Sequence, residues 1–194
     1  MNKTKLVNCF LSGRRKSISK YENQTEELQS KVLQKLIRQA IHTEWGQTHG
    51  FAQVNDYNSF TKTSPINTYE ELKGYIDRMR RGEKDVLWSG KVRWYAKSSG
   101  TTNDKSKFIP VSKECLQDTH YRGGTDAVAL YLGQNPRSRM FDGKALILGG
   151  SHSPNYNLPH SLVGDLSAIL IENVSPFVNH FRIPSKEICL LYTS

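Results

Sequence analysis

Cysteine is scarce in this 194-residue sequence, and its three cysteines, Cys9, Cys115 and Cys189, lie far apart. An odd number without close spacing excludes a disulfide framework and a CxxC metal motif. The six histidines include no HExxH pair and no local cluster with cysteine and acidic residues. The sequence therefore predicts reduced thiols and no metal site built from this segment.

Long hydrophobic runs are also missing. No apolar run approaches the roughly 18 residues that would indicate a membrane span. The run from Leu6 to Leu11 is interrupted by Asn8 and is too short for the core of a secretory signal. These absences predict a cytoplasmic protein, and a content of 37% hydrophobic and 23% charged residues is within the range of globular domains.

Negative charge is absent from the first 20 residues, which hold six basic residues: Lys3, Lys5, Arg14, Arg15, Lys16 and Lys20. Subtracting these six charges from the net +9 leaves +3 for the other 174 residues. A basic arm can contact phosphates or anionic lipid, but a solvated arm is the simpler interpretation. No zinc finger, RRM signature or basic and aromatic interleaving indicates a specific nucleic-acid module.

Two amphipathic helices are predicted in the front half. Residues 25–45 carry apolar side chains at three- and four-residue steps, with Asn23 and Glu26 resembling a capping box and Gly46 as the stop. The second helix begins at a clearer capping box.

That box is formed by Thr68 and Glu71, and apolar residues at helical spacing follow it up to Gly82. A strand is then predicted from the alternation of residues 92–97, and a second short strand from residues 108–111. A polar loop connects the two strands.

Further along the chain, we expect a third helix over residues 112–132, with Gly133 as its stop. The apolar runs 144–149 and 166–171 are consistent with buried strands, and residues 150–160, rich in Ser, Asn and Pro, with a loop. These elements predict an α/β fold with mixed sheets and flanking helices.

The polar loop spans Ser98 to Lys107 and contains no apolar side chain. Its hydroxyls can donate to phosphate oxygens, its glycine lets the backbone approach a ligand, and its lysines add positive charge. Neither a Walker A motif nor a GxGxxG fingerprint is present. Taken alone, the SSGTT sequence favours an ordinary hairpin loop whose hydroxyls bond their own backbone.

The stretch SSGTTNDKSKFIP, residues 98–110, resembles the ATP-binding loop of acyl-adenylate-forming enzymes. More specifically, it is similar to the Gretchen Hagen auxin-responsive family of acyl-acid amido synthetases, in a bacterial version. Matching phrases occur in order over nearly the whole chain, to about Ile188: TEWG (43–46), PINTYEEL (65–72), RGE (81–83), LW (87–88) and GDLSA (164–168).

One departure from related enzymes lies within the loop. Acyl-CoA synthetases carry a glycine after the Ser/Thr pair and a Pro-Lys-Gly ending, where this chain has Asn103 and Ser106-Lys107-Phe108. Asparagine tolerates the left-handed backbone conformation that glycine would supply, so the turn can survive.

The resemblance implies the N-terminal portion of the large domain of an adenylate-forming enzyme. Such an enzyme uses ATP, with Mg²⁺, to activate a small carboxylic acid as an acyl-adenylate, which is then conjugated to an amino acid. No catalytic residue or metal ligand is assigned to this chain. The residues implied to bind ATP are Ser98, Ser99, Gly100, Thr101, Thr102, Asn103, Lys105 and Lys107.

The family's other nucleotide motifs, its metal-holding acid and its mobile C-terminal domain have no counterpart in residues 108–194. We therefore expect residues 1–188 to be a partial, N-terminal adenylate-forming domain that is inactive alone, and residues 189–194 to be a non-native tail. Two alternatives remain: an acyl-CoA-type ligase with a thiol acceptor, and a non-catalytic basic interaction module. The residues identify neither the acyl substrate nor the oligomeric state.

Overall fold

A computed structural model describes residues 3–98, 106–186 and 188. Within these ranges the helices are α1 (Lys3–Phe10), α2 (Ser12–Ile18), α3 (Thr25–Ala40), α4 (Glu44–Thr48), α5 (Tyr57–Thr63), α6 (Tyr69–Arg80), α7 (Arg122–Gln134), α8 (Leu166–Glu172) and α9 (Pro176–His180). The strands are β1 (Trp94–Ser98), β2 (Lys107–Val111), β3 (Ala145–Leu146), β4 (Leu162–Gly164) and β5 (Arg182–Ile183). None of the helices in the described ranges is long and apolar enough to cross a membrane.

The chain divides into two compact units. The hairpin unit covers residues 24–112 and 153–163, and the terminal unit covers the described parts of residues 1–23, 113–152 and 164–194. A three-stranded sheet has the order β2-β1-β4, and a two-stranded sheet pairs β3 with β5 in parallel. The predicted α/β class with mixed sheets is confirmed.

The first predicted helix of the hairpin unit is shorter than expected. Helix α3 begins after Gln24, which makes no side-chain cap, and ends at Ala40. The Thr43 hydroxyl then donates to the Ala40 carbonyl (2.7 Å) and accepts from the Gly46 amide (3.0 Å), so it starts the separate helix α4. Gly46 is not a helix stop, because it lies inside α4. A Cβ there would lie 2.0 Å from the Ala40 oxygen, so the close approach of the chain requires glycine.

Helix α6 confirms the second capping box. The Glu71 amide donates to the Thr68 hydroxyl (3.4 Å), and the Thr68 amide donates to the Glu71 carboxylate (2.6 Å). Gly82 follows the helix at a φ of 96°, a conformation that favours glycine. A side chain there would also collide with the ring of His160, because an added Cβ would lie 2.6 Å from its Cδ2.

The core of the hairpin unit consists of two apolar clusters. One is formed by Ile76, Met79, Val86, Val92, Tyr95 and Val163, and the other by Ile37, Ala40, Phe51 and Val54. Trp88 packs against both clusters and so joins them. This packing places α6 against the sheet that contains β1.

The predicted strands on either side of the polar loop are confirmed. Strand β1 pairs with β2 antiparallel, from Trp94 opposite Val111 to Ser98 opposite Lys107. Because β1 is the central strand of the three, β2 lies at an edge of the sheet.

Three predictions for the terminal unit were wrong in part or wholly. The expected helix over 112–132 is a π-helical stretch, Cys115–Tyr121, followed by α7, and Gly133 lies inside α7. The apolar run 144–149 contributes only the two exposed residues of β3. The run 166–171 is helix α8, not a strand, and it buries Ala168, Ile169 and Ile171 on one face.

The basic N-terminal segment is helical rather than a solvated arm. The Arg14 guanidinium donates through two nitrogens to the Asp126 carboxylate of α7, one of them at 2.7 Å. Arg15 donates to the Asn8 side chain at 2.7 Å. The four lysines of the segment, Lys3, Lys5, Lys16 and Lys20, remain exposed.

The Arg14–Asp126 pair predicts a pH-dependent contribution to stability. Both side chains are about a quarter exposed, and the guanidinium lowers the pKa of the Asp126 carboxyl by hydrogen bonding. A lowered pKa in the folded state stabilises the protein above the ordinary aspartate pKa, and this stabilisation is lost as the pH falls from about 4 through the lowered value. We expect Arg14→Gln to reduce the free energy of unfolding by about 1 kcal/mol at pH 7.

Urea denaturation between pH 7 and pH 3 measures this effect. The matched control is Arg139→Gln, since Arg139 is 80% exposed in its pair with Asp142 and should cost less than about 0.5 kcal/mol. The prediction would be contradicted if both variants lost the same free energy of unfolding, or if the loss in Arg14→Gln increased toward pH 3.

Candidate functional site

Two of the predicted ATP-binding residues lie at the facing ends of strands β1 and β2. Ser98 ends β1 and Lys107 begins β2, and the two are cross-strand partners. The remaining predicted residues lie outside the described part of the chain: Ser99, Gly100, Thr101, Thr102, Asn103 and Lys105. The structure therefore shows the two ends of the predicted site. We call Lys97, Ser98, Lys107 and Phe108 the hairpin root.

The edge of the hairpin is held by the first residue of α6. The Phe108 amide of β2 donates to the Tyr69 hydroxyl at 2.9 Å. Edge strands present amides without a strand partner, and this hydroxyl satisfies one of them. The Lys107 ammonium lies 5.5 Å from the centre of the same Tyr69 ring, within the range of a cation–π interaction. The capping box at Thr68 thus positions a residue that holds the hairpin root.

The opposite face of the hairpin carries two neighbouring aromatic rings with a cation at each end. The Arg80 guanidinium lies 3.9 Å from the centre of the Phe108 ring. The Phe108 and Tyr156 ring centres are 5.7 Å apart, and the Lys97 ammonium lies 4.4 Å from the Tyr156 ring centre. Arg80 also donates to the Tyr156 carbonyl at 2.7 Å. We call Arg80, Phe108, Tyr156 and Lys97 the cation–aromatic stack.

The positive charges around the hairpin root have no carboxylate partner in the described part of the hairpin unit. Among the described residues, no carboxylate lies within ion-pair distance of Lys97, Lys107 or the buried Arg80. The nearby hydroxyl of Tyr95 is fully buried without a hydrogen-bond partner in the described structure, and burial raises the pKa of Tyr95 to about 12. The Tyr95 phenol is therefore neutral at physiological pH and cannot offset these cations.

A neighbouring arginine shows the opposite arrangement. Arg78 donates to Glu44 at 2.5 Å and to Glu83 through two nitrogens, one of them at 2.8 Å. These bonds lower the pKa values of both carboxyl groups, so the cluster stays ionised at neutral pH. Arg78 therefore joins α4 to the turn after α6, and its positive charge is neutralised by these two carboxylates.

We also searched the described residues for a cluster of side chains that could bind a metal ion. Within residues 3–98, 106–186 and 188, no group of three or more His, Cys, Asp or Glu side chains could hold a metal ion.

Sequence reasoning missed Lys97, Tyr69, Tyr156 and Arg80. Lys97 directly precedes the SSGTT sequence and belongs to the alternating pattern that predicts strand β1. A lysine next to a polar loop could also have indicated a phosphate contact. Arg80 lies in the last turn of α6, where a basic residue ordinarily complements the helix dipole, so its position in the sequence indicates no other role. Tyr156 lies 58 positions after Ser98, and no local pattern predicts that its ring meets Lys97.

Comparison with known proteins identifies relatives over most of the chain. Residues 14–188 match the model of the GH3 family N-terminal domain. A jasmonoyl–L-amino acid synthetase of Nicotiana attenuata is 32% identical over 108 residues, which cover 54% of this chain and 19% of the relative. An indole-3-acetic acid-amido synthetase of Arabidopsis thaliana is 32% identical over 93 residues, which cover 47% of this chain and 16% of the relative.

A solved structure supports the fold. The structure of the GH3.15 acyl acid amido synthetase is similar with a TM-score of 0.73 and 19% identity, covering 97% of this chain and 31% of that one. The chain spans less than a fifth of the length of the two curated relatives.

The Tyr69 contact leads to a test of how the hairpin root is held. We expect Tyr69→Phe to lower the free energy of unfolding by about 1 kcal/mol, because the Phe108 amide loses its acceptor. Amide hydrogen exchange should show faster exchange at Phe108. Tyr75→Phe is the matched control, because the Tyr75 hydroxyl has no hydrogen-bond partner among the described residues. Unchanged exchange at Phe108 in the Tyr69 variant would refute the contact.

Proposed function

The chain belongs to the GH3 family, and from this premise we propose that it carries the ATP-phosphate loop of an acyl acid amido synthetase. In this function a small carboxylic acid is activated with ATP as an acyl-adenylate and is then conjugated to an amino acid. The curated relatives are named for conjugating jasmonate or indole-3-acetic acid with amino acids. Those names favour an amine acceptor over the thiol of an acyl-CoA-type ligase.

The observation that carries the proposal is the positive charge at the hairpin root, which meets no carboxylate among the residues that the structure describes. Lys97 lies at the start and Lys107 at the end of a loop rich in hydroxyls. Neither lysine has a carboxylate partner among the described residues. Isolated cations of this kind suit a polyanion such as a nucleotide triphosphate. Both lysines rest on tyrosine rings, which orient an ammonium without cancelling its charge.

In the proposed complex, the loop holds the β- and γ-phosphates of ATP. The residues assigned to this role are Ser98, Ser99, Gly100, Thr101, Thr102, Asn103, Lys105 and Lys107. ATP supplies the phosphoanhydride bond whose cleavage drives activation of the acid. By fixing the outer phosphates, the loop would orient the α-phosphate for attack by the carboxylate and stabilise the charge of the departing pyrophosphate.

Magnesium enters the proposal only with the nucleotide. Mg²⁺ is usually bound through one or two carboxylates plus substrate phosphates, and it would accompany the phosphates of ATP. No step is assigned to a metal held by this chain. The loop's own hydroxyls and lysines carry the phosphate contacts.

Alanine variants of the loop test the proposal. We expect Lys107→Ala and Thr101→Ala each to weaken ATP binding by the chain about tenfold, because each removes a contact to a charged phosphate. Isothermal titration calorimetry measures the affinity, with AMP as the ligand that lacks the outer phosphates. The control is Lys91→Ala, an exposed lysine ahead of β1, which should bind ATP like the wild type. Wild-type affinity in both loop variants would mean that the loop is structural.

A further inference from the structure

We propose that the exposed face of α1, α2 and the short 3₁₀ helix after them (Ser19–Glu22) binds the surface of anionic lipid membranes. This inference goes beyond the proposed function, because the face lies in the terminal unit and includes no residue of the polar loop. Helix α1 also precedes residue 14, where the match to the family domain begins. We call this surface the N-terminal face, and it consists of Lys3, Lys5, Leu6, Phe10, Lys16 and Lys20.

Helices α1 and α2 turn a common side toward the rest of the terminal unit. The Leu11 amide donates to the Val7 carbonyl (3.0 Å) and the Arg15 amide to the Leu11 carbonyl (3.1 Å), so hydrogen bonds of helical spacing bridge the junction. The inward side chains recur at three- and four-residue steps, as on one side of a single helix. These buried or half-buried residues are Thr4, Val7, Leu11, Arg14 and Ile18.

Contacts with α7 fix this orientation. Arg14 donates to the Asp126 carboxylate of α7 at 2.7 Å through its second nitrogen, and the Asn8 side-chain amide donates to the Leu132 carbonyl at 3.4 Å. The Arg14 charge is therefore used to hold the segment against α7. The lysines take no part in these contacts and are left on the other side.

The N-terminal face carries four positive charges. All four lysines are exposed, and none has a carboxylate partner among the described residues. Within residues 3–22 the only acidic residue is Glu22, at the end of the segment. Each lysine near an anionic lipid surface strengthens binding by about fivefold. The charge of this face is therefore complementary to a negatively charged membrane.

Two large apolar side chains lie beside these charges. Leu6 is 44% exposed and Phe10 is 79% exposed, and their four-residue spacing makes them neighbours on α1. Lys3 lies three residues before Leu6 and borders the same stripe. In helices that bind at a membrane surface, Leu and Phe side chains enter the boundary of headgroups and acyl chains while lysines reach the headgroups.

The apolar pair favours a membrane over a nucleic acid as the partner. Lysines alone would fit any polyanion, because their attraction to phosphates is largely independent of what carries them. Leu6 and Phe10 gain from leaving water only where the partner also offers an apolar environment. A lipid interface supplies both the negative charge and that environment.

Vesicle binding by the 194-residue chain tests the proposal. Vesicles of phosphatidylcholine alone, or mixed with phosphatidylserine, are sedimented with the protein at low and at moderate salt. Lys5→Gln/Lys16→Gln removes two charges from the face, and its matched control is Lys84→Gln/Lys91→Gln, which changes two exposed lysines of the hairpin unit.

The apolar contribution has its own pair of variants. Phe10→Ala removes the exposed ring, and Ile66→Ala is the matched control, because Ile66 is fully exposed in the hairpin unit. Lys5→Arg/Lys16→Arg keeps both charges of the face. Thermal denaturation of each variant shows that it is folded. If Lys5→Gln/Lys16→Gln does not fold, the comparison of Phe10→Ala with Ile66→Ala decides the assignment.

We expect the wild type to bind vesicles that contain phosphatidylserine at least tenfold more tightly than phosphatidylcholine vesicles. Lys5→Gln/Lys16→Gln should weaken this binding about twentyfold at low salt and less at moderate salt, because salt screens the attraction. Phe10→Ala should weaken it about fivefold at both salt concentrations, since apolar insertion is not screened. The arginine variant and both controls should bind within about twofold of the wild type.

Three results would overturn the proposal. The first is a wild type that binds neither kind of vesicle, or binds both equally. The second is an equal loss of binding in a variant of the face and in its matched control. The third is binding of a single-stranded RNA oligonucleotide, unaffected by Phe10→Ala, without binding to phosphatidylserine vesicles, which would assign the lysines to nucleic acid.

Discussion

The hydrogen bond from the Phe108 amide to the Tyr69 hydroxyl holds the edge of the hairpin against helix α6. Strand β2 has β1 on one side only, so its outer amides depend on contacts of this kind. The capping box of Thr68 and Glu71 fixes where α6 begins, and this start sets the position of Tyr69. The placement of Lys107, and with it one end of the polar loop, therefore follows from a helix cap almost 40 residues earlier in the chain.

Two ways of holding cations occur side by side in the hairpin unit. Arg78 is neutralised by Glu44 and Glu83 and serves to join elements. Lys97 and Lys107 instead rest on tyrosine rings. Aromatic rings orient cations without neutralising them, so the charges of these two lysines are not offset by a carboxylate of the described residues. This contrast is the physical basis for assigning a polyanionic ligand to the hairpin rather than to the Arg78 cluster.

Local signals in the sequence predicted the parts of the fold that depend on local physics. The predictions of the Thr68–Glu71 capping box and of the two strands flanking the loop were correct, because helix capping and strand alternation depend on only a few neighbouring residues. The run 166–171 was wrong because a short apolar run suits a buried strand or helix equally. Within the candidate site, Ser98 and Lys107 lie at the facing ends of the two strands, and their contact with ATP stays a prediction. Tyr156 could not be predicted, since its contact with Lys97 depends on tertiary packing.

The match of residues 14–188 to the GH3 family and the charge at the hairpin root support one account, in which the polar loop binds the phosphates of ATP. Titration of ATP into the ¹⁵N-labelled chain, followed by amide chemical shifts, tests this account most directly. The account predicts saturable shifts concentrated at residues 97–107 that are much smaller with AMP. Saturable shifts located elsewhere, or no shifts at millimolar ATP, would contradict it.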